Sequence, residues 1–277
     1  MPDSQVDPEE YIEPGENVNL AQPDEPEIKI TENRFELPEL PLVTNSTRYI
    51  FHISFPMKEF VRFMKQNDSS PAVIIGLFMS HAIDQVHPDH KGDIVTELAW
   101  NYRKEVGLEK CHNNCVNIIA LTYNEKVKNL PLELQGTIFR GMTFSQTRES
   151  DAIRNLSRIA YLQSIFKKAG SYEGKKKIMS YIGSILEHTY CISYTGQMEL
   201  GECEEKCRNM HINAPIQGSI LIEVSSVNET ISIDITQKEN IPLYVDAFCH
   251  ILTEEGIHYT RIPVQKFVLP EPVLFSE

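Results

Sequence analysis

Cys203, Cys207 and His211 follow one another at four-residue intervals, and thiolates and imidazoles are the ligands that hold zinc. On a helix the first two would share a face, but the third lies ~12 Å from the first by helical rise, beyond the reach of one ion. Cys111, His112 and Cys115 are further residues of ligand type that could join them. The spacing predicts partly buried thiols, and no metal residue is assigned. A second group, Ser193-Tyr194-Thr195-Gly196, ends a short apolar strand. Hydroxyls at a strand end can donate hydrogen bonds to a developing oxyanion. A plain turn closed by Gly196 accounts for the same residues, and both readings stand. No Gly-x-Ser-x-Gly elbow marks a nucleophilic serine. Cys111 beside His112 is adjacency in sequence, which rarely gives catalytic geometry. No phosphate-binding glycine loop, dinucleotide fingerprint or nucleic-acid module is present.

Between Arg140 and Ile178 nine bases face three acids. Such a stretch would suit an anionic contact, such as coenzyme A phosphates or an acidic carrier protein. A solvated helical face, or a dock for acidic sequence elsewhere in the chain, explains it as well.

The 277 residues carry a formal net charge of -13, and residues 1–40 alone hold twelve acids against two bases. An acidic balance disfavours non-specific binding to nucleic acid or to anionic membranes. Composition, 41% hydrophobic and 23% charged, is that of a globular protein. No apolar run approaches the ~18 residues of a membrane span. The N-terminus lacks the basic flank and apolar segment of a signal peptide, so cytoplasm and reduced thiols are expected.

Residues 1–45 hold seven prolines and little apolar periodicity, which predicts an acidic arm, with residues 46–277 forming one folded lobe. Tyr49–Phe55 reads as a strand, and Pro56 opens a short helix. Ser69-Ser70-Pro71 caps a second helix whose near-continuous apolar run to Val86 predicts burial. Asp93–Tyr102 and Cys115–Tyr123 read as strands, the latter apolar on both faces and therefore central. One long helix is expected over Ser145–Ala169 and another over Lys175–Glu187. Ile220, Ile222 and Val224 alternate into a turn near Val227-Asn228-Glu229, and Ile231, Ile233 and Ile235 alternate back as a hairpin. A last helix runs from Pro242 to Gly256. Interspersed strands and helices predict an α/β two-layer sandwich, a mixed β-sheet with helices packed on one face.

This order resembles the C-terminal lobe of the chloramphenicol-acetyltransferase-like superfamily, which includes peptide-synthetase condensation domains and alcohol acetyltransferases. Phe60–His87 resembles the helical segment that begins that lobe. Leu98-Ala99-Trp100-Asn101-Tyr102-Arg103-Lys104 resembles its strand ending in an Asn-x-Arg-Lys turn, and Cys115-Val116-Asn117 its next core strand. Ser193–Gly196 resembles the turn that faces the other lobe. Asp3–Tyr11 is similar to the stretch that follows the catalytic motif in bacterial members.

The resemblance implies acyl transfer from a thioester, on coenzyme A or a carrier protein's phosphopantetheine, to an alcohol or amine. It implies no bound cofactor. It places Ser193, Tyr194, Thr195, Gly196, Asn101 and Arg103 along a substrate tunnel. The family's base is the histidine of a His-x-x-x-Asp-Gly motif, and no histidine here has Asp four residues on. No catalytic residue is carried over. The expected partner is a lobe bearing that motif, or a second copy of this chain, with an acyl carrier protein as a further candidate. The alternative is a non-catalytic binding module built on the same scaffold.

Overall fold

The computed structural model describes residues 33–38, 47–110, 115–185, 188–198, 200–214 and 220–268. In chain order its elements are β1 (Thr47–Pro56), α1 (Met57–Gln66), α2 (Pro71–Val86), β2 (Ile94–Asn101), β3 (Val116–Tyr123), α3 (Glu125–Lys128), α4 (Leu132–Thr147), α5 (Glu149–Lys168), α6 (Tyr172–Ile185), β4 (Tyr190–Gln197), β5 (Ile220–Val227), β6 (Thr230–Gln237), α7 (Leu243–Glu254), β7 (Thr260–Arg261) and β8 (Gln265–Val268). The strands form one mixed sheet in the order β3-β2-β4-β5-β6-β1-β7, with β8 also on β1. β4 runs parallel to β2 and β5, and the pairs β5–β6 and β6–β1 are antiparallel.

The chain divides into two compact units, one from 1–32, 99–119 and 141–187, the other from 33–98, 120–140 and 188–277. In the first, Tyr102 is fully buried; its hydroxyl donates to the Gln146 carbonyl at 3.1 Å and accepts from Asn155 at 2.8 Å. Burial pushes that phenol up to about 12. Ala152 and Leu156 of α5 are buried, while Lys167 and Lys168 at its end are exposed. Within α5, Asp151 pairs with both Arg148 and Arg154, so part of the basic stretch is neutralised locally.

The second unit is layered. Strand alternation sends Ile192, Ile222, Ile235 and Phe51 to one face in a single register row, with Val224, Ile233 and Ile53 in the next. α2 covers this face: a methyl at Gly76 would lie 3.4 Å from the Ile192 side chain. α2 also packs on α7. Eleven α2 residues are buried, which accounts for its unbroken apolar run. Pro71 stands at its first turn with Ser70 in the cap position, although the serine side chain makes no cap hydrogen bond. Within the stretch read as an arm, Arg34 bridges Asp93, and the Phe35 ring packs on His87 and His90.

Three expectations need correcting. β3 lies at one end of the sheet rather than at its centre; only its Ile119-Leu121-Tyr123 side is fully buried. The single helix read over Ser145–Ala169 is broken at Arg148, whose extended backbone (ψ 155) ends α4 and starts α5. The periodic apolar positions continued across that break, so periodicity hid it. Ser193–Gly196 lies inside β4 rather than in a turn after it, because pairing with β5 continues to Gln197 across a bulge between Tyr194 and Gly196. Gly196, at φ +77, makes that irregularity possible.

Candidate functional site

The face of the sheet opposite the helices is polar yet buried. Its central register row runs Ser193, Glu223, Asp234, His52 across β4, β5, β6 and β1. Glu223 is 6%, His52 4% and Asp234 0% exposed, so the row is shielded from water except at half-buried Ser193. Two residues to either side of Asp234, Ser232 and Thr236 have buried hydroxyls with no hydrogen-bond partner among the described residues.

Asp234 organises the row. Its Oδ1 accepts from His52 Nδ1 at 2.6 Å and from His211 Nδ1 at 2.7 Å, and its Oδ2 accepts from the Ile212 backbone N–H at 2.6 Å. His211 and Ile212 belong to the segment after the 3-10 turn Gly201–Lys206; Met210 in the same segment accepts from Ser225 Oγ at 2.9 Å. This strap closes over the polar face. Three donors converge on this one buried carboxyl, which satisfies its oxygens without water. The two imidazoles stand edge to face, 4.6 Å between centroids. His52 Nε2 meets Gln265 Oε1 of β8 at 3.1 Å. The hydrogen bond to Asp234 raises the His52 imidazole above its usual value, outweighing the desolvation that lowers it. Burial lifts the Glu223 carboxyl above its usual range; the Ser193 hydrogen bond opposes that, and the Asp234 charge adds to it.

His211, at 25% side-chain exposure, is the open edge of the cluster. Its Nδ1 is committed to Asp234, which orients the ring as a carboxylate orients an imidazole base. Two imidazoles converging on one carboxylate oxygen are also a nitrogen–nitrogen–oxygen donor set. His52, His211 and Asp234 are the one group of three such side chains among the described residues whose ligand atoms all lie within 4.8 Å of one another.

The residues singled out in sequence are placed differently. The 3-10 turn ends at Lys206, and Cys207 donates to the Asn209 carbonyl, so Cys203, Cys207 and His211 share no helix. Cys111 and His112 lie outside the described residues. Thr195 donates to the Val224 carbonyl at 3.1 Å, committing its proton to the sheet. Tyr194 is exposed over 38% of its surface; partial burial raises its phenol, against a hydrogen bond with Ser226. Asn101 closes a local turn, its Oδ1 accepting from the N–H and guanidinium of Arg103.

The site missed in sequence had one visible clue. A loop at Asn228-Glu229 sets Val227 opposite Thr230, which sets Glu223 opposite Asp234. Two carboxylates thus face each other in strands whose other face is Ile220, Ile222, Val224, Ile231, Ile233 and Ile235. Nothing in linear order joins His52 or His211 to them.

No family model matches the sequence, and no curated protein matches it. Solved structures do. The PapA2 acyl transferase superposes at TM-score 0.52 over 82% of this chain and 49% of its own, at 10% identity. The nonribosomal peptide synthetase FmoA3 superposes at 0.50 over 79% and 24%, at 12% identity. The epimerization domain from tyrocidine synthetase B is similar at 0.48 over 79% and 52%. On the first two superpositions, the fold is the chloramphenicol-acetyltransferase-like α/β fold. This chain spans about half the length of PapA2 acyl transferase and a quarter of FmoA3. Among the described residues no helix is long and apolar enough to cross a membrane.

Proposed function

We propose that this chain is one lobe of an acyl-thioester-dependent transferase, completed by a second lobe that brings the histidine of a His-x-x-x-Asp-Gly motif. The observation carrying this reading is the likeness to an acyl transferase over most of this chain but only half of that one. The donor is an acyl thioester of coenzyme A or of a carrier protein's phosphopantetheine, and the acceptor an alcohol or amine. Ser193, Tyr194, Thr195 and Gly196 along β4, with Asn101 and Arg103 at the end of β2, are the wall residues of the reading. Of these, Asn101, Tyr194 and Thr195 are exposed and so open to a substrate.

The test is thiol release from acetyl-coenzyme A and from acyl-phosphopantetheine, with a panel of alcohols and amines. The chain is assayed alone, and co-expressed with a lobe that carries the motif. Turnover only in the co-expressed sample is expected. Turnover by the chain alone that disappears in His211→Ala would overturn the partner requirement and make His211 the base. Binding of acyl thioester without turnover in either sample would favour the scaffold alternative.

A further inference from the structure

We propose that His52, His211 and Asp234 form a binding site for one transition-metal dication of the zinc class. This goes beyond the acyl-transfer reading and does not depend on it.

Two imidazole nitrogens and one carboxylate oxygen converge from two strands and a strap, with every ligand atom within 4.8 Å of the others. This donor set suits zinc and its neighbours and not calcium or magnesium, which take oxygen. Three protein ligands with one partly open side is the pattern of a zinc site that keeps a fourth position for water or substrate. His211 supplies that opening, since the other two ligands are sealed by the sheet.

The surroundings of His52 point the same way. Oxygen acceptors stand at both of its nitrogens, Asp234 Oδ1 at Nδ1 and Gln265 Oε1 at Nε2. A neutral imidazole has one N–H and cannot satisfy both, whereas an imidazolium or a metal-bound ring can. With a cation on Nδ1 the ring proton sits on Nε2 and donates to Gln265 Oε1, the outer hydrogen bond typical of a metal-bound histidine. Asp234 Oδ2, held by the Ile212 N–H, would fix the carboxylate while Oδ1 binds. Glu223 faces Asp234 in the same buried row, a second carboxyl beside the proposed ion.

On binding, both histidines enter as neutral Nδ1 donors with their ring protons on Nε2, and any additional proton on either ring leaves to solvent. Nitrogen–oxygen separations of 2.6 and 2.7 Å are those of ligands sharing protons. Tetrahedral bonds of about 2.0–2.1 Å set ligands about 3.3 Å apart, so the pairs open by about 0.6–0.7 Å. For His211 the strap, outside regular structure, supplies that shift.

The experiment is calorimetric titration of the chelator-treated full chain with Zn2+, paralleled by the visible absorption of bound Co2+. One site per chain is expected, with a Kd of about 10 µM or tighter. His211→Ala, a partly exposed position, is expected to abolish it. Gln265→Leu, which removes only the outer hydrogen bond, is expected to weaken it about 10–100-fold with thermal unfolding unchanged. A titration without one-to-one binding at about 100 µM metal overturns the proposal. Binding that survives His211→Ala overturns it too, by assigning the ion to other side chains such as Cys203 and Cys207. In either case His52, Asp234 and His211 are a proton-sharing cluster.

Discussion

His52 and Asp234 stand in register on β1 and β6, and their side chains meet at 2.6 Å with 4% and 1% of their side-chain surface exposed. Removing one member of such a buried pair strands the other. Asp234→Ala also deprives His211 and the Ile212 N–H of their acceptor. The expected loss is ~3–5 kcal/mol in urea unfolding. A loss under ~1 kcal/mol would show that the imidazoles are not held by this carboxylate.

Tyr190 ties the sheet to its helix. Its hydroxyl donates to the Gly76 carbonyl of α2 at 2.5 Å and accepts from Thr96 at 2.5 Å, with Ser80 at 2.9 Å. Burial keeps this phenol neutral far above its usual range. Tyr190→Phe leaves two buried hydroxyls short of a partner, and ~1–3 kcal/mol of stability should go with it. An unchanged thermal midpoint would mean that Ser80 and Thr96 satisfy each other without the phenol.

His81 supplies a pH dependence. Desolvation holds its imidazole below the usual value, against a hydrogen bond to Gln135 at 2.7 Å. The unfolded chain binds this proton near pH ~6.5 while the folded chain still resists it. Stability from His81 is therefore complete above pH ~6.5 and declines as pH falls below it. Unfolding midpoints of the wild type and His81→Gln, compared between pH 7.5 and 5.5 (conditions set around about 6.5), should converge toward the acid side. Parallel profiles would refute the assignment.

Two glycines of α4 should respond oppositely to alanine. A methyl at Gly136 would collide with the Asn67 carbonyl oxygen, a backbone atom that cannot swing away, whereas one at Gly141 meets nothing within 4 Å. Gly141→Ala should gain ~0.5–1 kcal/mol from helix propensity alone. Gly136→Ala should lose ~1–3 kcal/mol by overpacking. Equal effects at the two positions would mean that α4 and the Asn67 loop do not approach as described.

Helix caps give a smaller contrast. Ser70 precedes α2 without a side-chain cap bond, while Asn124 accepts from the Lys126 N–H at the start of α3. Ser70→Ala should cost a few tenths of a kcal/mol and Asn124→Ala ~1 kcal/mol. Chemical denaturation resolves the difference, and the reverse order would contradict the cap geometry.

Much of the fold was legible in local pattern. Proline at the start of α2, isoleucine alternation in β5 and β6 with Asn228 at φ +49 between them, and Gly256 after α7 each report a backbone requirement through the residue itself. β3 was misjudged because an apolar run reports how much surface is hidden and not which neighbour hides it. The break at Arg148 was missed because the residue there has no breaker chemistry; only its ψ departs from the helix. For the site, the hairpin register exposed Glu223 opposite Asp234, but the histidines stand 182 and 23 residues from Asp234.

Local chemistry alone thus determined most of the elements, the mixed α/β layering and the absence of a His-x-x-x-Asp-Gly base, since each depends on near neighbours in the chain. Tertiary structure alone decided that the sheet's second face would be a buried polar row with two imidazoles on one carboxylate. That outcome depends on strand order and on the path of the strap. Both are set by the joint burial of many side chains at once, and no short window of residues encodes them.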